Sequence, residues 1–501
     1  MDGTLVESHV VVATLILSIV GLFWHWSTKK PSKDFPPGPR PLPLVGNLLD
    51  FAFKPPHMVF LELRNKYGDI FSVKIGQRWT VILNSLHATR EALVKQPVNF
   101  AGRPDLYSFK LLSGDGKSIA LSDYSIDWAN NRKMIHASLR NLVTGDHTKF
   151  EALILEFTPQ VASALDLTKG KPFDPKQLIC HLVYSILGKI CFGESFAFDD
   201  PMLLEKMAAG QEFLELVGNG LPIDFFPSLA WIPFKRAEKL RNLCELNFLD
   251  IHRAIDCHRK TFVPGKPRDF IDQMLDAQLA AKQNGEDTNI SDEVIATGIA
   301  DIHGGGTDTT IVTLYWSLAL MVQFPQVQDK IAQLADEVIG RERLPTLADR
   351  EKLPYIVAAV HEVLRYSTKL PMSVPHSTTQ DCKLDGYFIP KGTMVMTNLW
   401  AIHRDGEHWE QPYSFRPEHF LDETGTVRKH PEGFVPFSTG RRVCIGESMV
   451  KAELFLLFTW LFQHFKFSKV PGTEDQSYIE HGQILVANEV NTYKLIAKRR
   501  F

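Results

Sequence analysis

From Ser291 to Pro325 no proline interrupts the chain, and this one stretch limits what the rest can do. Ser291-Asp292-Glu293 reads as a helix start: a capping side chain, then acids at the positive end of the helix dipole. The implied helix is about 32 residues and roughly 48 Å long at 1.5 Å per residue. Few globular helices reach that length, so it must cross the body and the other elements must pack around it. Gly304, Gly305 and Gly306 sit in its middle. Each costs a helix about 1 kcal/mol against alanine. Such a cost is expected where bulk must be absent or the hydrogen-bond ladder opens; a tight crossing with a second helix is the plain alternative. Asp308 and Thr309 come next, and a carboxylate beside a hydroxyl in a locally opened helix can relay protons to a bound ligand.

Near the C-terminus, Phe437-Ser438-Thr439-Gly440-Arg441-Arg442-Val443-Cys444-Ile445-Gly446 sets one cysteine in a loop between glycines. A thiolate is a strong, soft metal ligand, and one without a second cysteine nearby suits an iron porphyrin better than zinc. Gly440 and Gly446 let the backbone turn and approach a flat ligand where a Cβ would clash. Backbone N–H groups beside Cys444 can point at the sulfur, and Arg442 can reach a carboxylate of the same ligand. The alternative is an inert thiol, since free cysteine is among the most buried residues. The flanking glycines and Arg442 have no purpose in an ordinary core and decide against it. Residues 449–462 are apolar and predict a buried helix beneath the loop.

Global composition excludes little but points consistently. The 501 residues carry 55 Lys and Arg against 58 Asp and Glu, a formal charge of −3, which gives no sign of a nucleic-acid partner. Cys180, Cys191, Cys244, Cys257, Cys382 and Cys444 show no paired spacing, which suits free thiols in a reducing compartment. Residues 10–26 are nearly all apolar, close to the short end of the roughly 17–25 needed to span a bilayer. Asp2 and Glu7 precede them, and Lys29, Lys30 and Lys33 come after. The positive-inside rule then leaves the main body cytosolic. With no basic leader and no Ala-x-Ala site, residues 1–30 read as a retained membrane anchor. Residues 31–47, with Pro36-Pro37-Gly38-Pro39, read as a basic, proline-rich hinge, either a stiff spacer or a generic linker. No linker or repeat divides residues 48–501, which read as one catalytic domain.

Within that domain, Ile70-Phe71-Ser72-Val73-Lys74-Ile75 and Trp79-Thr80-Val81-Ile82-Leu83 predict a hairpin turning at Gly76-Gln77-Arg78. Asp385-Gly386-Tyr387 and Pro390-Lys391-Gly392 predict two more hairpin turns. Trp128 and Arg132 share a helix face four residues apart. They can give two N–H donors to one anion, or form a surface cation–π pair. Residues 199–234 are apolar without a clean period, as in a membrane or ligand contact or in ordinary core. Glu362 and Arg365 stand three apart in a helix expected to begin at Pro354, a spacing common on solvated faces.

The Phe-x-x-Gly-x-Arg-x-Cys-x-Gly loop, Asp308-Thr309 and Glu362-x-x-Arg365 together resemble the cytochromes P450, and the likeness runs along nearly the whole chain. It implies a mainly α fold with small β-sheets: a triangular prism with a long central oxygen-activating helix and a haem-thiolate loop. Haem b, iron protoporphyrin IX, is the implied cofactor, with Cys444 as axial ligand of the iron. Arg442, Trp128, Arg132, His376 and Phe437 become its contacts, and Asp308 and Thr309 the proton-delivering pair. Glu362 and Arg365 become a buried ion pair bracing the loop, with His419 of Pro417-Glu418-His419-Phe420 as third partner where arginine is commoner. Residues 199–234 become a mobile roof dipped in the membrane.

The implied activity is insertion of one oxygen atom of O2 into a lipophilic small molecule, steroid-like or xenobiotic. Electrons come from NADPH through NADPH–cytochrome P450 reductase, with cytochrome b5 as a further partner. No Gly-x-Gly-x-x-Gly nucleotide fingerprint lies in the chain itself. Arg441, Lys451, Arg132 and Lys133 are candidate docking cations. The implied location is the endoplasmic reticulum membrane. The likeness extends to the steroid 17-alpha-hydroxylase group at residues 398–403 and 453–456, but Leu216 replaces a polar residue there and His303 an aromatic one. Two other readings stand beside this one: a haem-thiolate isomerase or peroxygenase that needs no reductase, and a non-enzymatic haem-binding protein.

Overall fold

A computed structural model describes Ser18, Trp24 and residues 27–501 except 115, 198–199, 219, 285–289 and 481–486. The anchor expected over residues 1–30 therefore lies almost wholly outside the described residues. Among those described, no single helix is long and apolar enough to cross a membrane.

The proline run is not a free spacer. It lies along the first strand, where Ser72 N–H and Oγ donate to the carbonyls of Pro37 and Pro36 at 2.6 and 2.8 Å. A Cβ on Gly38 would stand 1.8 Å from the Ser72 carbonyl oxygen, so only glycine permits this approach. Residues 36–38 thus pack against that strand, part of the same body.

Helix α1 (Pro56–Tyr67) leads into strands β1 (Ile70–Ile75) and β2 (Arg78–Leu83), an antiparallel pair with Ile70 opposite Leu83. Their turn is Gly76-Gln77, with Gly76 at φ +59°. Helices α2 (Leu86–Leu93), α3 (Ile126–Thr144), α4 (Lys176–Phe192), α5 (Pro201–Gly218), α6 (Lys235–Thr261) and α7 (Phe270–Gln283) come after. The central helix α8 spans Asp292–Gln323, 32 residues. Ser291 caps it by accepting from Val294 N–H. Pro325 ends it and opens α9 (Pro325–Val338), whose axis turns 104° away. Helix α10 (Pro354–Ser367) begins at its proline, as the sequence implies.

Strands β3 (His376–Ser377), β4 (Cys382–Leu384), β5 (Tyr387–Ile389) and β6 (Met394–Thr397) come next. The larger sheet has the order β1-β2-β6-β3, with β6 parallel to β2 and antiparallel to β3. Asp385 and Gly386, both at positive φ, make the β4–β5 hairpin. The turn at Pro390-Lys391-Gly392 is not a hairpin: it carries the chain from β5 to β6, in a different sheet. Helix α11 (Glu447–His464) then runs into β7 (Phe465–Ser468), which pairs with β8 (Ile496–Arg499).

One large core surrounds α8. Residues 294–299 and 310–322 of that helix are buried, and so are nearly all of residues 449–463 in α11. Each leucine, isoleucine or phenylalanine withdrawn from water here contributes about 1.5–3 kcal/mol. Residues 199–234 divide between the two roles the sequence left open. Leu216, Leu221 and Ile223 join a local core with Leu240 and Cys244, whereas Trp231 is 79% exposed.

Candidate active site

The middle of α8 breaks its burial. Gly304 and Gly305 are exposed although they lie inside the molecule's longest helix, and a Cβ on either would meet nothing within 4 Å. Gly306 differs: its Cβ would stand 3.2 Å from Leu187, so this glycine serves the crossing with α4. The triplet therefore does two jobs, one close approach and one cleared space. The helix does not open. Helical structure runs unbroken through the glycines, and Thr309 Oγ1 donates to the Gly305 carbonyl at 2.7 Å. That back-bond is what a mid-helix threonine commonly makes. Burial pushes the Asp308 carboxyl up to about 6, with Lys369 the main opposing charge.

Cys444 sits at the N-terminus of α11. Its N–H donates to the Phe437 carbonyl at 3.1 Å, and the N–H groups of Gly446 and Glu447 point at its sulfur. Burial pushes the thiol pKa up, while those N–H groups and Arg132 pull it down. The residue is nonetheless exposed. Gly440 packs its Cα against the second helix. At φ +78° its Cβ would stand 2.1 Å from the Leu93 carbonyl oxygen, so it docks the loop on α2. A Cβ on Gly446 would stand 3.8 Å from the Cys444 sulfur. Phe437 is half-buried, with Lys451 Nζ 5.5 Å from its ring centroid.

Four cationic or donor groups gather beside this loop. Arg442 stacks on Trp128 with its guanidinium 3.9 Å from the ring centroid. It donates to the carbonyls of Ala101, Ile119 and Ser122. Trp128 Nε1–H donates to the same Ile119 carbonyl at 3.1 Å. Arg132 donates to the Val443 carbonyl, so it turns inward and not toward a docking face. His376 donates from Nδ1 to the Phe100 carbonyl at 2.8 Å. Burial and two nearby arginines lower its pKa to about 3. Its other nitrogen is then an acceptor, and a second proton is needed there to hold a carboxylate.

Two members of this site carry no sequence signal of the usual kind. Arg103 is buried, donates to the carbonyls of Ala120, Val374 and Pro375, and is pushed down to about 9 by burial and by Arg132. Asp301 of α8 accepts from Ser118 Oγ and from the N–H groups of Ile119 and Ala120. Asp301 lies two helical turns before Asp308 and shares its face, a periodicity that would have found it. Through this aspartate the central helix and the cysteine loop meet at residues 118–122.

Beneath the loop, Glu362 and Arg365 pair with both side chains fully buried. Arg365 also donates to the carbonyls of His403, Pro412 and Ser414. His419 Nδ1 lies 3.1 Å from Glu362 Oε1, and its Nε2 meets the Glu410 carbonyl. Arg441 and Lys133 are exposed, and Lys451 pairs with Glu447 at 2.6 Å. His303 faces away from the cleared space. Its ring packs edge-on to Tyr184 and Phe192 at 5.9 and 5.6 Å, and burial lowers its pKa to about 4.

These residues fit an iron porphyrin: a single exposed thiol, a helix cleared of side chains, and three guanidiniums crowded against one another. Burial lowers the proton affinity of all three; Arg132 lowers that of Arg103 further, and Arg103 and Arg132 that of Arg442, while Asp123 and Asp301 offset these two in part. The carboxylates of a bound porphyrin would find donors in these guanidiniums.

Comparison with known proteins agrees. The family model for cytochrome P450 matches residues 36–496. Cytochrome P450 1A1 of Cavia porcellus is 38% identical over 450 residues, covering 88% of this chain and 87% of that protein. Cytochrome P450 2D15 of Canis lupus familiaris is 36% identical over 484 residues, covering 94% and 93%. Cytochrome P450 2D6 of Pan troglodytes is 36% identical over 504 residues, covering 98% of each. None of these three is named a steroid 17-alpha-hydroxylase. The mainly helical build with small sheets, the matched length and these identities show that the chain belongs to the cytochrome P450 family.

Proposed function

We propose that this protein is a haem-thiolate monooxygenase that inserts one oxygen atom of O2 into a lipophilic small molecule, with electrons from NADPH through a membrane-bound reductase. The observation that carries it is Cys444, held by two backbone N–H groups at a helix N-terminus and exposed. Haem bound there would supply oxygen activation under thiolate donation.

The chain's own residues have separable tasks. Gly446 and Glu447 hold the sulfur. Arg442, Arg132 and Arg103 would hold the carboxylates of the group, joined by Trp128 once its N–H leaves the Ile119 carbonyl and by His376 once it gains a second proton, and Phe437 would pack beside it. Gly304 and Gly305 keep the opposite wall free of side chains. Asp308 is the acid, since burial brings its pKa close to neutral. Thr309 must release the Gly305 carbonyl before its hydroxyl can pass a proton. Glu362, Arg365 and His419 brace the loop.

The body lies on the endoplasmic reticulum membrane, anchored by residues 1–30. Phe53, 97% exposed, and the exposed Leu44, Leu49 and Trp231 are the apolar side chains that would meet lipid. The cations left for a reductase are Arg441, Lys133 and Lys451. Reconstitution with reductase and NADPH tests the reading on steroid and xenobiotic panels. Oxygenated product supports it; product with peroxide but none with NADPH and reductase favours the reductase-free alternative.

A further inference from the structure

The end of α6 and the first turn of α7 meet through one histidine. The His258 side chain is 13% exposed, and both of its ring nitrogens are bonded. Nδ1 donates to the Ala254 carbonyl at 2.7 Å, and Nε2 donates to Asp269 Oδ2 at 2.9 Å. A carbonyl and a carboxylate only accept, so the ring makes both bonds only as the doubly protonated imidazolium. Asp269 is 1% exposed and also caps α7, its Oδ1 accepting from Asp272 N–H at 3.0 Å. The end of α4 abuts the same carboxylate: a Cβ on Gly193, at φ +67°, would stand 2.8 Å from Asp269 Oδ2. One aspartate thus joins three helix ends. Phe192, the last residue of α4, packs its ring on His303 of α8 at 5.6 Å, so the junction reaches the central helix.

Charges at the junction balance only with that extra proton. Asp272 is fully buried, and one oxygen of each aspartate and one nitrogen of His258 lie within 4.8 Å of one another. Arg268 answers Asp272 with two side-chain bonds of 2.6 and 3.0 Å. Asp269 takes its ion-pair partner from His258. The other charged and titratable groups nearby do not replace it. Arg259, next to His258, turns to Asp292 of α8. Cys191 of α4 faces Asp269, and burial holds its thiol in the neutral form. The bond to Asp269 raises the proton affinity of His258 above its ordinary value of 6.5, against the effect of burial. Loss of the proton leaves two buried carboxylates facing one guanidinium, and a buried charge stripped of its partner is strongly unfavourable.

We propose that His258 and Asp269 form a pH-sensitive clasp that holds the ends of α6 and α4 to the first turn of α7. With the imidazole protonated, the clasp fixes residues 262–268, which join α6 to α7; with the proton gone, it loosens them. Because His258 holds its proton more tightly in the folded chain, the clasp contributes its full stability below about pH 6.5 and loses it as pH rises through the folded value. Histidine is the side chain whose charge ordinarily changes near neutral pH, so the clasp responds there.

Hydrogen–deuterium exchange of the full-length folded protein at about pH 6 and about pH 8.5, corrected for intrinsic exchange rates, tests the clasp. Wild-type protection of residues 262–272 should fall about tenfold between the two, the equivalent of one unit of proton affinity. Asp269→Asn keeps a capping side chain, since asparagine caps as well as aspartate, but removes the charge. Its protection should not depend on pH, whereas a merely structural cap would leave the wild-type fall intact. His258→Gln should likewise be independent of pH, and as open at the lower pH as wild type is at the higher. Equal wild-type protection at both pH values, or a wild-type fall retained in either variant, would overturn the proposal. Should Asp269→Asn fail to fold, wild type and His258→Gln still decide. The exchange needs no turnover. A wild-type protein without product would sink the monooxygenase reading and leave the clasp to be judged by these rates alone.

Discussion

Arg365 meets Glu362 through two parallel hydrogen bonds, Nε to Oε2 and Nη2 to Oε1, both 2.7 Å long and both sealed from water. Helix spacing puts the two residues on one face. Three backbone carbonyls beyond the pair then fix the guanidinium to the segment that precedes the cysteine loop. Arg365→Ala strands the Glu362 charge in the core, a loss of about 3–5 kcal/mol against a total stability of about 5–15. We expect little folded protein and no retained haem, read by denaturant unfolding and absorbance. Arg365→Lys should rescue only partly, because an ammonium cannot make the paired contact.

Asp308→Asn should change how stability depends on pH. The folded carboxyl holds its proton up to about 6, against an ordinary value of 3.8 in the unfolded chain. A raised acid contributes stability below the unfolded value and loses it as pH rises through the folded one. The variant should therefore be more stable than wild type at pH 7.5, by at most about 3 kcal/mol, with the gap closing toward pH 4. Denaturant titrations at several pH values check this.

Gly305→Ala and Gly306→Ala should behave differently. Alanine at 305 gains helix propensity and meets nothing, so it should stabilise by about 0.5–1 kcal/mol. Alanine at 306 pushes on Leu187 and should lose that gain. Parallel unfolding curves compare them.

Deleting residues 1–30 should release most, not all, of the protein from membranes, measured by sedimentation with vesicles. A wholly soluble product would mean that Trp231 and the apolar surface near Phe53 do not hold lipid.

Much of this was legible in order of residues. Ser291 and Pro325 marked both ends of the central helix, and Asp385-Gly386 marked a hairpin, because caps, prolines and left-handed turns act locally. What escaped was non-local. Arg103 is a lone arginine in a loop; its importance comes from carbonyls contributed by residues 120, 374 and 375, which no window contains. Gly440 has its neighbour in Leu93, far away in sequence.

Thr309→Ala removes the hydroxyl but not the acid. We expect product per NADPH consumed to fall several-fold, with the balance appearing as peroxide. An unchanged ratio would show that the hydroxyl bonded to Gly305 never takes part in proton delivery.

The central claim is that Cys444 supplies the thiolate, and the ferrous–carbon monoxide absorbance spectrum of the haem-loaded protein tests it most directly. The wild-type protein should show the red-shifted Soret band of a thiolate-bound haem, and Cys444→His should lose it while still binding haem. A wild-type spectrum without that band, or a Cys444→His spectrum that keeps it, would contradict the assignment.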